Sequence, residues 1–252
     1  MEQKTLPRAR RKLKKFIKKE KLEKRKIRIF FKTLTPEQAI GRPARQDYPI
    51  IKGEEKVIQA VFENSKAHVF TDAPVDFSGT VEEIINLSPD SNRHRAIFLA
   101  TLNVILKYKG IIENTLHCKD EEPENCAGEI ARHILEKHGK ITVGLIGLNP
   151  AILEELVSVF GKKNVKVTDL DKKNICKNKF GVKVMDGSKS TLKLVKESNL
   201  VLLTGTTLVN GTFEHIYNRI KKHDKNYIIY GVTCAGVCQL LGLNRLCFYG
   251  KS

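Results

Sequence analysis

The chain has 252 residues, a mass of 28.5 kDa and 41% hydrophobic residues, enough for one large or two modest globular domains. No apolar run approaches the roughly 20 residues that cross a bilayer, and the basic start has no apolar h-region, which argues against membrane-spanning and secreted proteins. Of the formal net charge of +17, most belongs to residues 1–32, with 15 Lys or Arg against 3 Asp or Glu. We therefore expect a cytoplasmic protein with reduced cysteines and no membrane partner.

Residues 1–32 form a basic N-terminal extension. Leu13, Phe16 and Ile17 have helical spacing, which predicts a weak amphipathic helix at most. One interpretation is a solvated lysine-rich extension. The other is a surface that holds nucleic acid by neutralising phosphates, without sequence specificity because no base-reading motif accompanies the charge.

Residues 33–139 have strands first and helices afterwards, which is the order of an α+β domain. Thr80 and Glu83 have the spacing of a capping box at a helix start. The helix at 92–112 is apolar almost all round, so Asn103 inside it must find partners, either backbone groups or a ligand. Strands are predicted at 27–31, 48–53, 56–62 and 68–72, and a second long helix at 123–138.

Residues 140–252 alternate strictly between strand and helix, which predicts a Rossmann-like α/β domain with a mostly parallel sheet. Ligands of such sheets bind beyond the carboxyl ends of the strands. The predicted strands are 141–148, 165–169, 182–185, 200–204 and 227–233, with helices at 150–160, 190–198, 212–222 and 235–241.

The first two of these strands end in candidate ligand-binding residues. Gly147 allows close backbone approach, and Asn149 is suited to cap the next helix. Asp169 follows Gly147 at about the spacing at which an acid accepts from a ribose, although it could simply cap a turn. The full G-x-G-x-x-G fingerprint is absent, so a conventional dinucleotide enzyme is disfavoured.

The later strands end in small polar residues. These supply neutral donors and close backbone approach to a carboxylate, a phosphate or another polar group, although helix capping explains some of them equally well. A thiol at the start of the last short helix could be a thiolate or a small buried side chain. The candidates are Thr204, Gly205, Thr206, Thr207, Asn210, Thr233 and Cys234.

A cluster in the N-terminal half mixes imidazole, thiols and carboxylates over residues 117–126. Such donors suit zinc, iron or another transition metal, but their spacing matches no standard site. Acidic residues are also common in the first turn of a helix, where they complement the helix dipole. This explains the carboxylates of the cluster but not its imidazole and thiols. The candidate metal ligands are His117, Cys118, Asp120, Glu121 and Glu122.

Three motifs, HCKDEEPE (117–124), GLIGLNPAIL (144–153) and LTGTTLVNGT (203–212), resemble those of a prokaryotic family described as "putative heavy-metal chelation" proteins. The resemblance runs from about Thr33 to Gly250 and leaves the basic extension outside. It implies an N-terminal domain similar to that of enolase, a Rossmann-like C-terminal domain and a site in the cleft between them.

Together these features predict a protein that binds a small polar or anionic ligand in the interdomain cleft, with a transition or heavy metal ion as a candidate cofactor. One alternative is an enzyme that uses a nucleoside-containing cofactor such as S-adenosylmethionine, with Asp169 on the ribose. Another is a nucleic-acid-associated protein that acts through residues 1–32. A homodimer is a candidate assembly, and the sequence does not identify a reaction.

Overall fold

A computed structural model describes residues 4–24 and 28–252 of the chain. Its first part is a four-stranded antiparallel sheet, in the order β3-β2-β1-β4, with helices packed against it. The predicted Ile27 lies outside the described residues. The elements are α1 (Thr5–Lys19), β1 (Arg28–Leu34), α2 (Pro36–Ile40), β2 (Lys56–Phe62), β3 (Ser65–Thr71), β4 (Phe77–Thr80), α3 (Val81–Asn86), α4 (Asn92–Tyr108) and α5 (Glu122–His138).

The second part is a seven-stranded sheet in the order β11-β10-β9-β5-β6-β8-β7, parallel except for the β7–β8 pair. Helices cover it, which confirms the predicted Rossmann-like α/β fold. Its elements are β5 (Val143–Ile146), α6 (Pro150–Phe160), β6 (Val165–Asp169), β7 (Asn178–Lys179), β8 (Val182–Asp186), α7 (Gly187–Glu197), β9 (Leu200–Thr204), α8 (Phe213–Lys222), β10 (Asn226–Tyr230), α9 (Ala235–Leu241) and β11 (Arg245–Leu246).

Several predicted helix boundaries depend on capping residues. The capping box predicted at the start of α3 is confirmed. The Thr80 hydroxyl accepts from the Glu83 amide at 3.2 Å, and the Glu83 carboxylate accepts from the Thr80 amide at 2.7 Å. Helix α4 ends at Tyr108, earlier than predicted, because Gly110 adopts a left-handed φ of +66° that the helix cannot continue through.

The strand predicted at residues 48–53 is wrong. The segment is a series of turns, in which the carbonyl of Pro49 accepts from the Glu54 amide at 2.9 Å and the carbonyl of Tyr48 accepts from the Ile51 amide at 3.0 Å. Proline lacks the amide that a strand ladder needs, so the segment satisfies its carbonyls locally.

The N-terminal extension is also more ordered than predicted. Helix α1 buries Ala9, Leu13 and Ile17 and packs against α9. Its first amide donates to the Glu214 carboxylate of α8 at 2.7 Å, and Lys12 Nζ donates to the Leu240 carbonyl at 2.5 Å. The interpretation as a solvated extension is therefore wrong for Thr5–Lys19.

Helix α4 joins the two parts of the molecule. One of its faces covers β2 and β3, and another packs against α9 of the parallel sheet. A single hydrophobic core consequently runs from α1 and the antiparallel sheet through α4 to α8 and α9. Within the described ranges, no helix has the length and apolarity that crossing a membrane would require.

Candidate functional site

A cavity of about 510 Å³ lies at the topological switch point of the parallel sheet. From β5 the chain adds β6 and β8 on one side, then returns to add β9 and β10 on the other. The connections after β5 and β9 therefore diverge and leave a crevice at the carboxyl ends of these two strands, where open α/β sheets bind ligands. Residues of the antiparallel part close the crevice from the opposite side.

The turn after β5 requires glycine at Gly147. Its φ is +86°, and a Cβ there would lie 2.5 Å from Thr204 Cγ2. Asn149 caps α6 as predicted, its side-chain oxygen accepting from the Ile152 amide at 3.1 Å. Both Gly147 and Asn149 line the cavity. This turn thus brings backbone close to the β9 connection and forms one wall of the site.

The turn after β9 supplies hydroxyls to the same wall. Thr204 and Thr206 line the cavity with their hydroxyl oxygens 3.1 Å apart. Asn210 also lines it, and its side-chain oxygen accepts from the Thr212 amide at 3.1 Å. Thr207 is buried behind the wall and donates to the Thr204 carbonyl at 2.7 Å. Thr207 therefore shapes this turn without facing the cavity.

The turn after β10 is held from behind by Asn103. The Asn103 amide donates to the carbonyls of Val232 and Thr233 at 3.1 and 3.2 Å, and its oxygen accepts from the Gly236 amide at 2.8 Å. Of the two partners considered for Asn103, the structure gives it backbone groups. It lies outside the cavity lining and positions the turn that carries Thr233, which does line the cavity.

Gly205 and Cys234 bring the β9 and β10 turns together. Gly205 lines the cavity, and a Cβ on it would lie 3.0 Å from the Cys234 amide nitrogen. Cys234 is fully buried outside the lining, with its thiol 3.4 Å from the Gly231 carbonyl. A hydrogen bond from Cys238 lowers the pKa of Cys234, against the effect of burial. The burial of Cys234 is enough to explain why a small residue occupies this position, and no contact with a ligand is needed.

Carboxyl groups from both parts of the chain line the cavity, and the sequence indicated only some of them. Asp169 is the predicted member: one oxygen accepts from the Leu170 and Asp171 amides at 2.6 and 3.2 Å, the other from Asn174 at 3.0 Å. Burial raises the pKa of Asp169. The remaining acidic lining residues are Glu54, Glu55, Asp72 and Asp171.

Glu55 is the unexpected residue of this group. Burial, followed by the nearby charges of Asp169 and Asp72, raises the pKa of Glu55 to about 8. At neutral pH the Glu55 carboxyl is mostly protonated and can donate a hydrogen bond, whereas the Asp169 oxygens already accept from neighbouring amides. Tyr230 lies beside them, and its hydroxyl donates to the Gly147 carbonyl at 3.3 Å.

Three thiols and an imidazole also line the cavity: Cys118, Cys126, Cys247 and His117. A hydrogen bond from Cys118 lowers the pKa of Cys126 to about 6, helped by the amides of Tyr249 and Phe248. The same interaction raises the pKa of Cys118, and burial lowers that of His117. Cys126 is therefore the thiol of this pair that ionises more readily, and the thiolate is the form that acts as a nucleophile or soft-metal ligand.

The five predicted metal ligands are not brought together. The Asp120 carboxylate accepts from the Arg42 amide at 2.8 Å, Glu122 pairs with Lys251, and Glu121 is exposed before α5. His117 Nδ1 lies 2.7 Å from the Cys118 carbonyl. Across residues 4–24 and 28–252, no three His, Cys, Asp or Glu side chains are placed to hold a metal ion. In this arrangement the five predicted residues do not form a metal site.

The described lining of the cavity carries five carboxyl groups, and its one basic side chain is His117, whose pKa is lowered by burial. Among the described residues, no Lys or Arg lines it. A buried phosphate or carboxylate would face Glu55, Asp169 and Asp72 with no cation to offset the cost of its desolvation. The electrostatics favour a ligand that is neutral or positively charged where it meets these acids.

Comparison with known proteins relates the chain to one family. Residues 130–241, less than half of the chain, match the sequence profile of DUF364, described as "putative heavy-metal chelation". No curated protein matches the chain.

Two solved structures are similar in fold. A DUF364 protein of unknown function from Pyrococcus horikoshii superposes with a TM-score of 0.54 at 15% identity, covering 91% of this chain and 80% of its own. Another, from Desulfitobacterium hafniense, has a TM-score of 0.48 at 11% identity, covering 74% of this chain and 72% of its own. Residues 130–241 are thus similar to the DUF364 family, and most of the chain shares the fold of the Pyrococcus protein.

Proposed function

We propose that the protein binds a small, phosphate-free polar molecule in the cavity at the switch point, and that the molecule is neutral or cationic where it meets Glu55 and Asp169. The observation that carries the proposal is an acidic, cation-free lining around a cavity of about 510 Å³. That volume lies within the range of roughly 300–1,000 Å³ typical of small-molecule sites.

The carboxyl pair supports recognition of hydroxyl or amino groups. A protonated Glu55 can donate and the carboxyl oxygens of Asp169 can accept, so a diol or an amino alcohol could be bound by both. The hydroxyls of Thr204 and Thr206 supply further neutral partners on the adjacent turn. Apolar side chains line much of the rest of the cavity, including Ile40, Ile50, Phe70 and Ile152.

The proposal is tested by a thermal-shift screen of the full chain against matched pairs, each a nucleoside, amino sugar or amino alcohol with and without a phosphate. A member present at 100 times its dissociation constant should stabilise the protein by about 2.7 kcal/mol. Shifts produced only by phosphate-free members support the proposal. Shifts produced only by the phosphorylated members would refute it.

A second candidate, an enzyme that uses a nucleoside-containing cofactor such as S-adenosylmethionine, is favoured by the position of Asp169. It ends β6, the strand beside β5, where Rossmann folds place the acid that binds a ribose. The sulfonium cofactor is also free of phosphate. Asp169→Ala should abolish its thermal shift, whereas an unchanged shift would exclude the ribose role.

Metal chelation, the description attached to the family, stays a prediction for this chain. The thiols Cys118, Cys126 and Cys247 are the donors that a rearranged site would use, since soft metals prefer thiolates. Metal analysis and titration of protein purified without an affinity tag test this prediction. Binding no tighter than about millimolar, about −4 kcal/mol, would exclude it.

A further inference from the structure

The outward face of α1 carries an uninterrupted row of cations. At about 100° per residue they fall within roughly one third of the helix circumference and extend over about 17 Å. All of them are exposed: Arg8, Arg11, Lys12, Lys15, Lys18 and Lys19. The opposite face buries Ala9, Leu13 and Ile17. We call the six side chains the cation row.

The charge of this face is not balanced within the helix, because Thr5–Lys19 contains no Asp or Glu. The next acid along the chain, Glu20, pairs with Lys109 of α4 at 2.5 Å. The row therefore presents a concentrated positive potential to solvent.

The helix is fixed to both parts of the molecule. Arg10 donates twice to the Ile85 carbonyl, at 3.0 and 2.7 Å, and Lys14 donates to the Asn86 side chain at 3.1 Å. On the other side, the Thr5 amide contacts Glu214 of α8. The cation row is thus held on a folded surface, so a partner would not have to order a disordered tail.

We propose that the cation row binds the phosphate backbone of a duplex nucleic acid without reading its sequence. Cations in a row on one helix face can contact successive phosphates, and contacts to phosphates carry no sequence information. A binder of single strands would offer aromatic side chains for base stacking, whereas Phe16, the aromatic residue of α1, packs against the core.

An anionic membrane is the less suitable polyanion for this helix. Amphipathic helices that bind membranes insert their apolar face between lipids. In α1 that face is already buried in the fold through Leu13 and Ile17, so only surface charge would remain for a lipid headgroup. The chemistry favours nucleic acid.

The test measures fluorescence anisotropy of a labelled duplex of about 20 base pairs with the full chain at several salt concentrations. In the variant, Arg8, Lys15 and Lys18 are replaced by Gln, which is compatible with a helix. The matched control replaces Lys189, Lys193 and Lys196, three exposed lysines of α7, by Gln. Both variants lose the same charge, and circular dichroism checks that both remain folded.

We expect the α1 variant to bind at least about tenfold more weakly, and its salt slope to fall by about 0.9 for each phosphate that it no longer neutralises. The α7 control and a variant with Lys15 and Lys18 replaced by Arg should bind like the native protein, and unrelated duplex sequences should bind alike. Equal weakening in the α1 and α7 variants, or an unchanged α1 variant, would overturn the proposal. Tighter binding to phosphatidylserine vesicles than to the duplex would also overturn it.

Discussion

Glu55, in the turn before β2, and Asp169, at the end of β6, both line the cavity, and Asp169 adds to the effect of burial in raising the pKa of Glu55. The two residues come from different parts of the chain, so the pair exists only when the antiparallel and parallel sheets are packed together. Glu55 can donate a hydrogen bond and Asp169 can accept one, so the cavity offers a ligand both a donor and an acceptor.

The raised pKa of Glu55 predicts a pH-dependent stability penalty. As pH rises, the carboxyl ionises first in the unfolded chain and resists ionisation in the folded one, so stability is lost up to the folded pKa of about 8 and stays constant above it. Glu55→Gln removes this penalty. The stabilisation by Glu55→Gln should be about 2 kcal/mol larger near pH 9 than near pH 5. A full conversion of the pKa shift would use about 1.4 kcal/mol per pKa unit, and we expect only a fraction of that because the side chain is partly exposed.

Thermal melts of native protein and Glu55→Gln across this pH range measure the effect. Glu82→Gln, which removes an exposed carboxylate of α3, is the control for the loss of one acidic group. A difference between native and Glu55→Gln that does not vary with pH would mean that Glu55 titrates normally.

We expect the addition of a single methyl group at Gly147 to destabilise the protein strongly. Gly147→Ala would incur the cost of a left-handed backbone and also a contact of 2.5 Å with Thr204 Cγ2. Gly161→Ala is a matched control, since Gly161 has a φ of +81° and an added Cβ would meet nothing within 4 Å. Both should lose about 1–3 kcal/mol from backbone strain.

The difference between the two glycine variants isolates the steric clash. Chemical denaturation should show Gly147→Ala to be less stable than Gly161→Ala by at least about 1 kcal/mol, the cost of overpacking. Equal stabilities would show that the β5 and β9 turns do not meet this closely.

The lowered pKa of Cys126 predicts a reactive thiol. In a Cys176→Ser background, which removes the exposed thiol, iodoacetamide should modify Cys126 with a rate that is half-maximal near pH 6. Cys118→Ala removes the main hydrogen-bond donor and should move the midpoint to higher pH. Peptide mass spectrometry at several pH values measures both. A midpoint near the ordinary thiol pKa of about 8.5 in the native chain would contradict the prediction.

The hydrogen bonds from Asn103 to the β10–α9 turn predict that removing its side chain destabilises the protein. Asn103→Ala leaves the buried Gly236 amide and two carbonyls without their side-chain partner, which should cost about 2–4 kcal/mol. Thr101→Val is the control, because the Thr101 hydroxyl only donates to the Ile97 carbonyl one turn earlier in α4. Similar destabilisation of both variants in urea denaturation would refute the positioning role.

The strand-end residues were predictable because the alternation of strands and helices determines which edge of the sheet each strand end reaches. Gly147, Asn149 and Asp169 were therefore identified from β5 and β6 alone. Asn103 was predicted to need partners, but its helical pattern could not say whether these were backbone groups or a ligand.

The other half of the site depends on contacts that are distant in sequence. Glu55 follows a glycine and another acid, a pattern typical of a hairpin turn, so nothing local indicated a buried carboxyl. Cys247 joins Cys118 and Cys126 because Lys251 pairs with Leu116 in an isolated antiparallel bridge. Cysteine spacing along the chain contains no sign of this pairing.

The cleft proposal is tested most directly by isothermal titration of the best phosphate-free hit from the screen into native protein and three variants. Asp169→Asn, which replaces one carboxyl oxygen by an NH2 donor, should weaken binding by about 1.5–3 kcal/mol, or roughly tenfold or more. Glu55→Gln, which keeps a donor, should bind close to normally, and the exposed control Glu82→Gln should bind like native protein. Unchanged affinity in Asp169→Asn would contradict the proposed function.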